Sequence, residues 1–144
     1  MDSAAFIGEA RDWLGTRWMH GVGVKAVGTD CVQYIVALGR RFGWVPQDYQ
    51  PPVYARDWAL HNHRSILLEE LARFADRVNS QERAPGDILT FVHGKCASHA
   101  GIYLGAGRFI HAHVRHGVCE ARLADGSGRD GRWEERIHSV WRVR

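Results

Sequence analysis

Apolar positions along the first 80 residues recur at helical spacing, and those after Pro85-Gly86 alternate like strands. Phe6, Ile7, Ala10, Trp13 and Leu14 place a short amphipathic helix over residues 3–14, with Asp2 and Ser3 able to cap its start. Gly15, Gly21, Gly23 and Gly28 then break the chain into a loop. A second helix is predicted from Cys31 to Phe42, with Thr29 or Asp30 as N-cap and Gly43 just beyond its end. Val32, Ile35, Val36, Leu38 and Phe42 make that helix apolar on most sides, which predicts burial. Pro46, Pro51 and Pro52 mark an ordered connector. Leu60, Leu67, Leu71, Phe74 and Val78 predict one or two helices within 55–78. Strands are expected at 88–92, 100–104 and 108–114, with Gly105-Ala106-Gly107 as a turn, and again at 117–123 and 137–143. Gly126, Gly128 and Gly131 mark a loop before the last strand. Helices first and antiparallel strands afterwards make an α+β arrangement, without internal repeats.

Length sharpens this to one domain. The chain has 144 residues and 16.3 kDa, enough to bury a core without disulfide or metal staples. The net charge of +3 is concentrated: residues 108–144 hold 8 basic and 5 acidic groups, and the remainder balances. That distribution argues against a nucleic-acid binder and leaves a local basic surface near the C-terminus. No apolar run is long enough for a membrane span. The N-terminus lacks the pattern of a signal peptide, which predicts synthesis in the cytoplasm. Three cysteines without CxxC spacing (Cys31, Cys96, Cys119) argue against a disulfide framework.

Cys31 is the first candidate for chemistry. A thiol at a helix start meets unpaired N–H groups and the positive end of the dipole, which lower its pKa and favour a nucleophile. A buried structural cysteine is the alternative. His99 and His111 alter the balance. They lie twelve residues apart across the Gly105–Gly107 turn, a separation that brings two imidazoles side by side on antiparallel strands. One could take the thiol proton and the other orient it. His113, two residues beyond His111, shares its face and could line the same cleft. His61-x-His63, His93-x-x-Cys96-x-x-His99 and His111-x-His113-x-x-His116 offer nitrogen and sulfur donors for zinc, but their spacings match no standard structural zinc pattern. Neither metal nor cofactor is therefore expected. Cys96 reads as a loop thiol and Cys119 as a strand core residue. Of six tryptophans, Trp13, Trp58 and Trp141 are expected in the core, while Trp18 and Trp44 flank the proposed cleft.

Gly28-Thr29-Asp30-Cys31, Pro85-Gly86-Asp87-Ile88-Leu89-Thr90-Phe91, Ser98-His99-Ala100-Gly101-Ile102-Tyr103-Leu104-Gly105 and Phe109-Ile110-His111-Ala112 together resemble the NlpC/P60 cysteine peptidases. Trp13-Leu14-Gly15-Thr16 is similar to that family's opening segment, and the resemblance runs from about residue 5 to 141. Gly117-Val118-Cys119-Glu120 resembles the closing stretch of the single-domain peptidases of phage tails and gene transfer agents. The resemblance implies a papain-like α+β core, with the cysteine helix packed on an antiparallel sheet. It implies Cys31 as nucleophile, His99 as base and His111 as third polar residue, with the Cys31 N–H holding the oxyanion. The implied reaction is hydrolysis of peptidoglycan stem peptides, between D-glutamate and the diamino acid, by an enzyme that a phage-like tail carries to the wall. Tail or baseplate proteins are then the implied partners, and the basic C-terminal segment is a candidate docking or wall-facing surface. The sequence departs from the family pattern at Val32 and Gln33, where a small residue and Gly are usual, and at Trp18, where Tyr is frequent and is thought to assist at the oxyanion. Asp30 matches the pattern and reads as a helix cap before a catalytic group. Two other readings stay open: a non-catalytic tail or baseplate subunit of the same fold, and an acyltransferase or amidase using the same acyl-enzyme chemistry.

Overall fold

A computed structural model describes residues 1–127 and 131–144, so Gly128 of the glycine-marked loop and Arg129 of the basic segment lie outside the described residues. Helix α1 spans Ser3–Asp12, capped by the Asp2 carboxylate, which accepts from the Ala5 N–H at 3.1 Å. Two short strands, β1 (Gly23–Val24) and β2 (Gly28–Thr29), pair within the segment read as a loop. Helix α2 runs Cys31–Phe42, as its periodicity predicts. Asp30 caps it through the Gln33 N–H at 2.8 Å, and Gly43 ends it with a left-handed φ of 78° that residues with a Cβ rarely adopt. Helices α3 (Trp58–His61) and α4 (Ile66–Leu71) follow.

The expected helical run to residue 78 stops sooner. Ala75–Val78 form strand β3, paired antiparallel with the C-terminal strand β8 (Ile137–Val143) from Ala75↔Val143 to Val78↔Val140. An open sheet edge supplies ladder hydrogen bonds that local helical spacing does not reveal. Strands β4 (Ile88–His93), β5 (Cys96–Gly105), β6 (Arg108–His113) and β7 (Gly117–Arg122) complete a six-stranded antiparallel sheet of order β3-β8-β4-β5-β6-β7. A four-residue helix, α5 (Trp133–Arg136), leads into β8. The architecture is α+β, few helices on an antiparallel sheet, as the pattern predicts.

Period-two alternation splits the core between the two faces of the sheet. On one face Ile88, Ala100, Ile102, Ile110 and Ala112 pack with Phe6, Tyr34, Leu38 and Leu71 of the helices. On the other, Leu89, Phe91, Tyr103 and Phe109 pack with Leu123, Trp133 and Val140. Trp13 and Trp141 are in the core as expected. Trp58 is only half-buried, since it lines the open cleft that holds Cys31 rather than the core. Cys96 is not a loop thiol: it opens β5, is buried, and donates to the Arg64 carbonyl at 3.7 Å. Cys119 is on β7 but partly exposed at the cleft, rather than in the core.

Candidate active site

Helix α2 begins where β5 and β6 pass, and this brings the sequence candidates to one cleft. Trp18, Asp30, Cys31, His99, His111 and His113 all line it. The Cys31 Sγ donates to the carbonyl of Ser98, one residue before His99, at 3.8 Å. His99 Nε2 and His111 Nδ1 are 2.8 Å apart. The pair is diagonal rather than side by side, since His111 stands opposite Gly101 in the β5–β6 register. Gly101 favours that close approach: a Cβ there would lie tightly, 3.0 Å from the Ile110 carbonyl oxygen and 3.2 Å from the His111 Cβ.

The tautomer of neutral His99 with its proton on Nε2 would donate to His111 Nδ1 and leave the Nδ1 lone pair able to accept a proton. Burial, then the surrounding His111, His93, His113 and Arg136, hold the His99 pKa well below its usual value. His111 is 1% exposed, and burial with its histidine neighbours lowers it to about 3. Both rings are therefore neutral at physiological pH. His113 is shifted the same way, more by burial than by His116 and Arg115. Its Nδ1 accepts from the Arg115 N–H at 3.1 Å, which leaves Nε2–H as the donor.

The thiol departs from expectation. Burial first, and the Asp30 charge second, push the Cys31 pKa up to about 12, although backbone N–H groups of Ala100, Cys31 and Val32 act to lower it. The helix-start donors are present, but desolvation and the adjacent carboxylate outweigh them. The Cys31 thiol and the imidazoles are thus neutral at rest, and a thiol in this state could act as a nucleophile only if its proton left sulfur as the new bond formed.

Three residues of this cleft escaped the sequence reading. Trp133 is 6% exposed and packs its ring 5.7 Å from His99 and 5.0 Å from His111, walling the pair from solvent. Tyr54 donates its hydroxyl to Asp30 Oδ2 at 2.5 Å, and the His20 ring meets it edge-on at 5.2 Å. Tyr54 sits in the proline-marked connector and Trp133 beside the glycine-rich loop, where no periodicity singles out a residue. Asp30 is 3% exposed with both oxygens engaged, by the Gln33 and Gly21 N–H groups and by Tyr54, so it caps α2. Trp18 lies under the Arg56 guanidinium, 4.8 Å from its ring centre. His93, His99, His111, His113 and His116 lie as neighbouring rings, yet among the described residues no group of three His, Cys, Asp or Glu side chains is placed to hold a metal ion. His61 and His63 are exposed.

Comparison with known proteins adds the frame. Residues 15–142 match the NlpC/P60 family. The chain is 32% identical over 111 residues to gamma-DL-glutamyl hydrolase of Bacillus subtilis, covering 72% of this chain and 22% of that protein. It is 26% identical to the murein DD-endopeptidase MepS/murein LD-carboxypeptidase of Escherichia coli K12, over 92% of this chain and 58% of that one. It is 29% identical to the tail tip assembly protein K of Escherichia phage lambda, over 90% and 58%. The chain thus spans less than two thirds of these curated relatives. An NlpC/P60 family protein from Bacillus cereus ATCC 10987 superposes with a TM-score of 0.70 at 18% identity, covering 99% of this chain and 40% of that one. RipD of Mycobacterium tuberculosis, described as a non-catalytic NlpC/P60 domain protein, superposes with a TM-score of 0.59 at 13% identity, covering 100% and 97%. At these identities the structural likenesses bear on the fold alone.

Proposed function

The chain belongs to the NlpC/P60 family, and on that premise we propose that residues 1–144 form one cysteine peptidase domain that hydrolyses peptidoglycan stem peptides. Cys31 is the nucleophile, His99 the general base, and His111 orients His99. The observation that carries this is the 2.8 Å His99–His111 contact in the cleft that Cys31 also lines. In the first step Sγ attacks the scissile carbonyl carbon as its proton passes to His99 Nδ1. The oxyanion develops against the Cys31 N–H at the start of α2. His99 then returns the proton to the leaving nitrogen as the C–N bond breaks, and water hydrolyses the thioester. His111 and Trp133 keep the ring oriented and shielded from solvent throughout.

The bond we propose joins D-glutamate to the diamino acid, a choice supported by likeness to a gamma-DL-glutamyl hydrolase. Delivery by a phage-like tail, with tail or baseplate proteins as partners, is supported by likeness to a lambda tail tip assembly protein. Digestion of purified wall, with released muropeptides read by mass spectrometry, tests both reaction and bond. Replacing Cys31 by Ala should remove release, a loss of at least about a thousandfold for a nucleophile. Unchanged release by that variant would sink the assignment. A non-catalytic tail subunit is the second reading, favoured by the raised Cys31 pKa. Inert wild-type protein against walls of every cross-linking type would select it.

A further inference from the structure

The connector between α2 and α3 does more than join helices. From it Tyr54 reaches back to the start of α2 and donates to Asp30 Oδ2 at 2.5 Å, and both residues line the cleft with Cys31. The Tyr54 hydroxyl is the donor and the Asp30 carboxylate the acceptor.

Asp30 is fixed in place by its other duties. It caps α2 and holds the Gly21 N–H, so it cannot be dispensed with. Yet its negative charge is adjacent to the sulfur that must give up its proton. A phenol at 2.5 Å is the strongest neutral donor available to spread that charge. The other charged or titratable groups of the cleft come from separate elements: His20 from the loop before β1, Arg56 from the connector, His93 from β4, His99 from β5, His111 and His113 from β6, Arg115 and His116 from the turn after it, Cys119 and Glu120 from β7, and Asp125 beyond β7. His20 Nδ1 lies 3.9 Å from Asp30 Oδ2.

We propose that Tyr54 is a positioning residue of this site: its hydroxyl withdraws charge from Asp30, eases deprotonation of Cys31 and latches the 46–57 connector as the cleft wall. The proposal rests on Cys31 being the nucleophile, but its test does not require wall hydrolysis. The full-length protein is alkylated with iodoacetamide across a range of pH, and modification of the Cys31 peptide is followed by mass spectrometry beside those of Cys96 and Cys119. Tyr54→Phe keeps the ring and removes only the hydroxyl. It should raise the Cys31 midpoint by half to one pH unit, so that Cys31 reacts about three- to tenfold more slowly near neutral pH. The variant should leave labelling of Cys96 and Cys119 unchanged. A purely structural role predicts an unshifted Cys31 profile with a lowered melting temperature. An unshifted or downward-shifted profile in Tyr54→Phe overturns the proposal. Failure of the peptidase reading would appear elsewhere, as wild-type protein that alkylates with the expected pH dependence but releases no muropeptides.

Discussion

Acid should destabilise this protein through its buried imidazole pair. His111 is 1% exposed, and its pKa is held at about 3 against an ordinary 6.5. In the unfolded chain His111 takes up a proton as pH falls through about 6.5; in the folded chain it resists until about 3. Between those values the unfolded state binds more protons, so stability falls as pH falls. Above about 6.5 both states are neutral and the contribution is flat. At pH 5 the unfolded imidazole is about 1.5 pH units inside its protonated range, which favours unfolding by about 2 kcal/mol. His99 is shifted in the same direction and adds to this. For a chain of this size, 2 kcal/mol corresponds to a melting temperature lower by roughly 6–8 °C. Urea denaturation at about pH 7.5 and about pH 5 would measure it, with His111→Gln as the non-titrating control. The variant should be less stable at both pH values but should lose about 2 kcal/mol of the difference between them. Equal stability of the wild type at the two pH values, or a wild-type pH dependence retained in full by His111→Gln, would refute the reasoning.

Two further outcomes follow from contacts around the site. Trp133→Ala removes the ring shared by Phe91, Phe109, His99 and His111 and should cost about 3–5 kcal/mol in urea denaturation, with Trp133→Phe recovering most of it; a cost under about 1 kcal/mol would mean the ring is not part of the packed core. Asp87 is 3% exposed and accepts from the Ala84 N–H at 2.8 Å and from Arg142 Nε and Nη2 at 2.9 Å each. Asp87→Ala should cost about 1–3 kcal/mol, less than a fully buried pair because Arg142 is half-exposed, and should leave the Cys31 alkylation profile unchanged.

The Pro-Gly-Asp motif shows how a sequence signal can be correct in place and silent in reason. Its position before a strand is legible from local chemistry. Its partner is not, because Arg142 lies 55 residues away on β8. The same division runs through the site. Cys31 at a helix start, with Asp30 as cap, follows from an apolar run preceded by a capping side chain. His99 and His111 on neighbouring antiparallel strands follow from the turn at Gly105–Gly107. Their diagonal contact does not, because it depends on which residues the turn sets opposite each other, and a bulge lies between Tyr103 and Gly105.

What the sequence determined by itself is therefore everything that short-range periodicity and backbone preference can encode: the α2 boundaries, the strand set after Pro85, the α+β class and the residues brought toward the cleft. The tertiary structure decided the rest. Residues 75–78 became a strand because β8 offered an unpaired edge. Trp133 and Tyr54 joined the site because distant segments pack there. The Cys31 thiol rose in pKa where a helix start alone would lower it. Each of these depends on burial and on contacts between residues far apart in the chain. Desolvation is a property of the folded surroundings, and no local pattern of residues carries it.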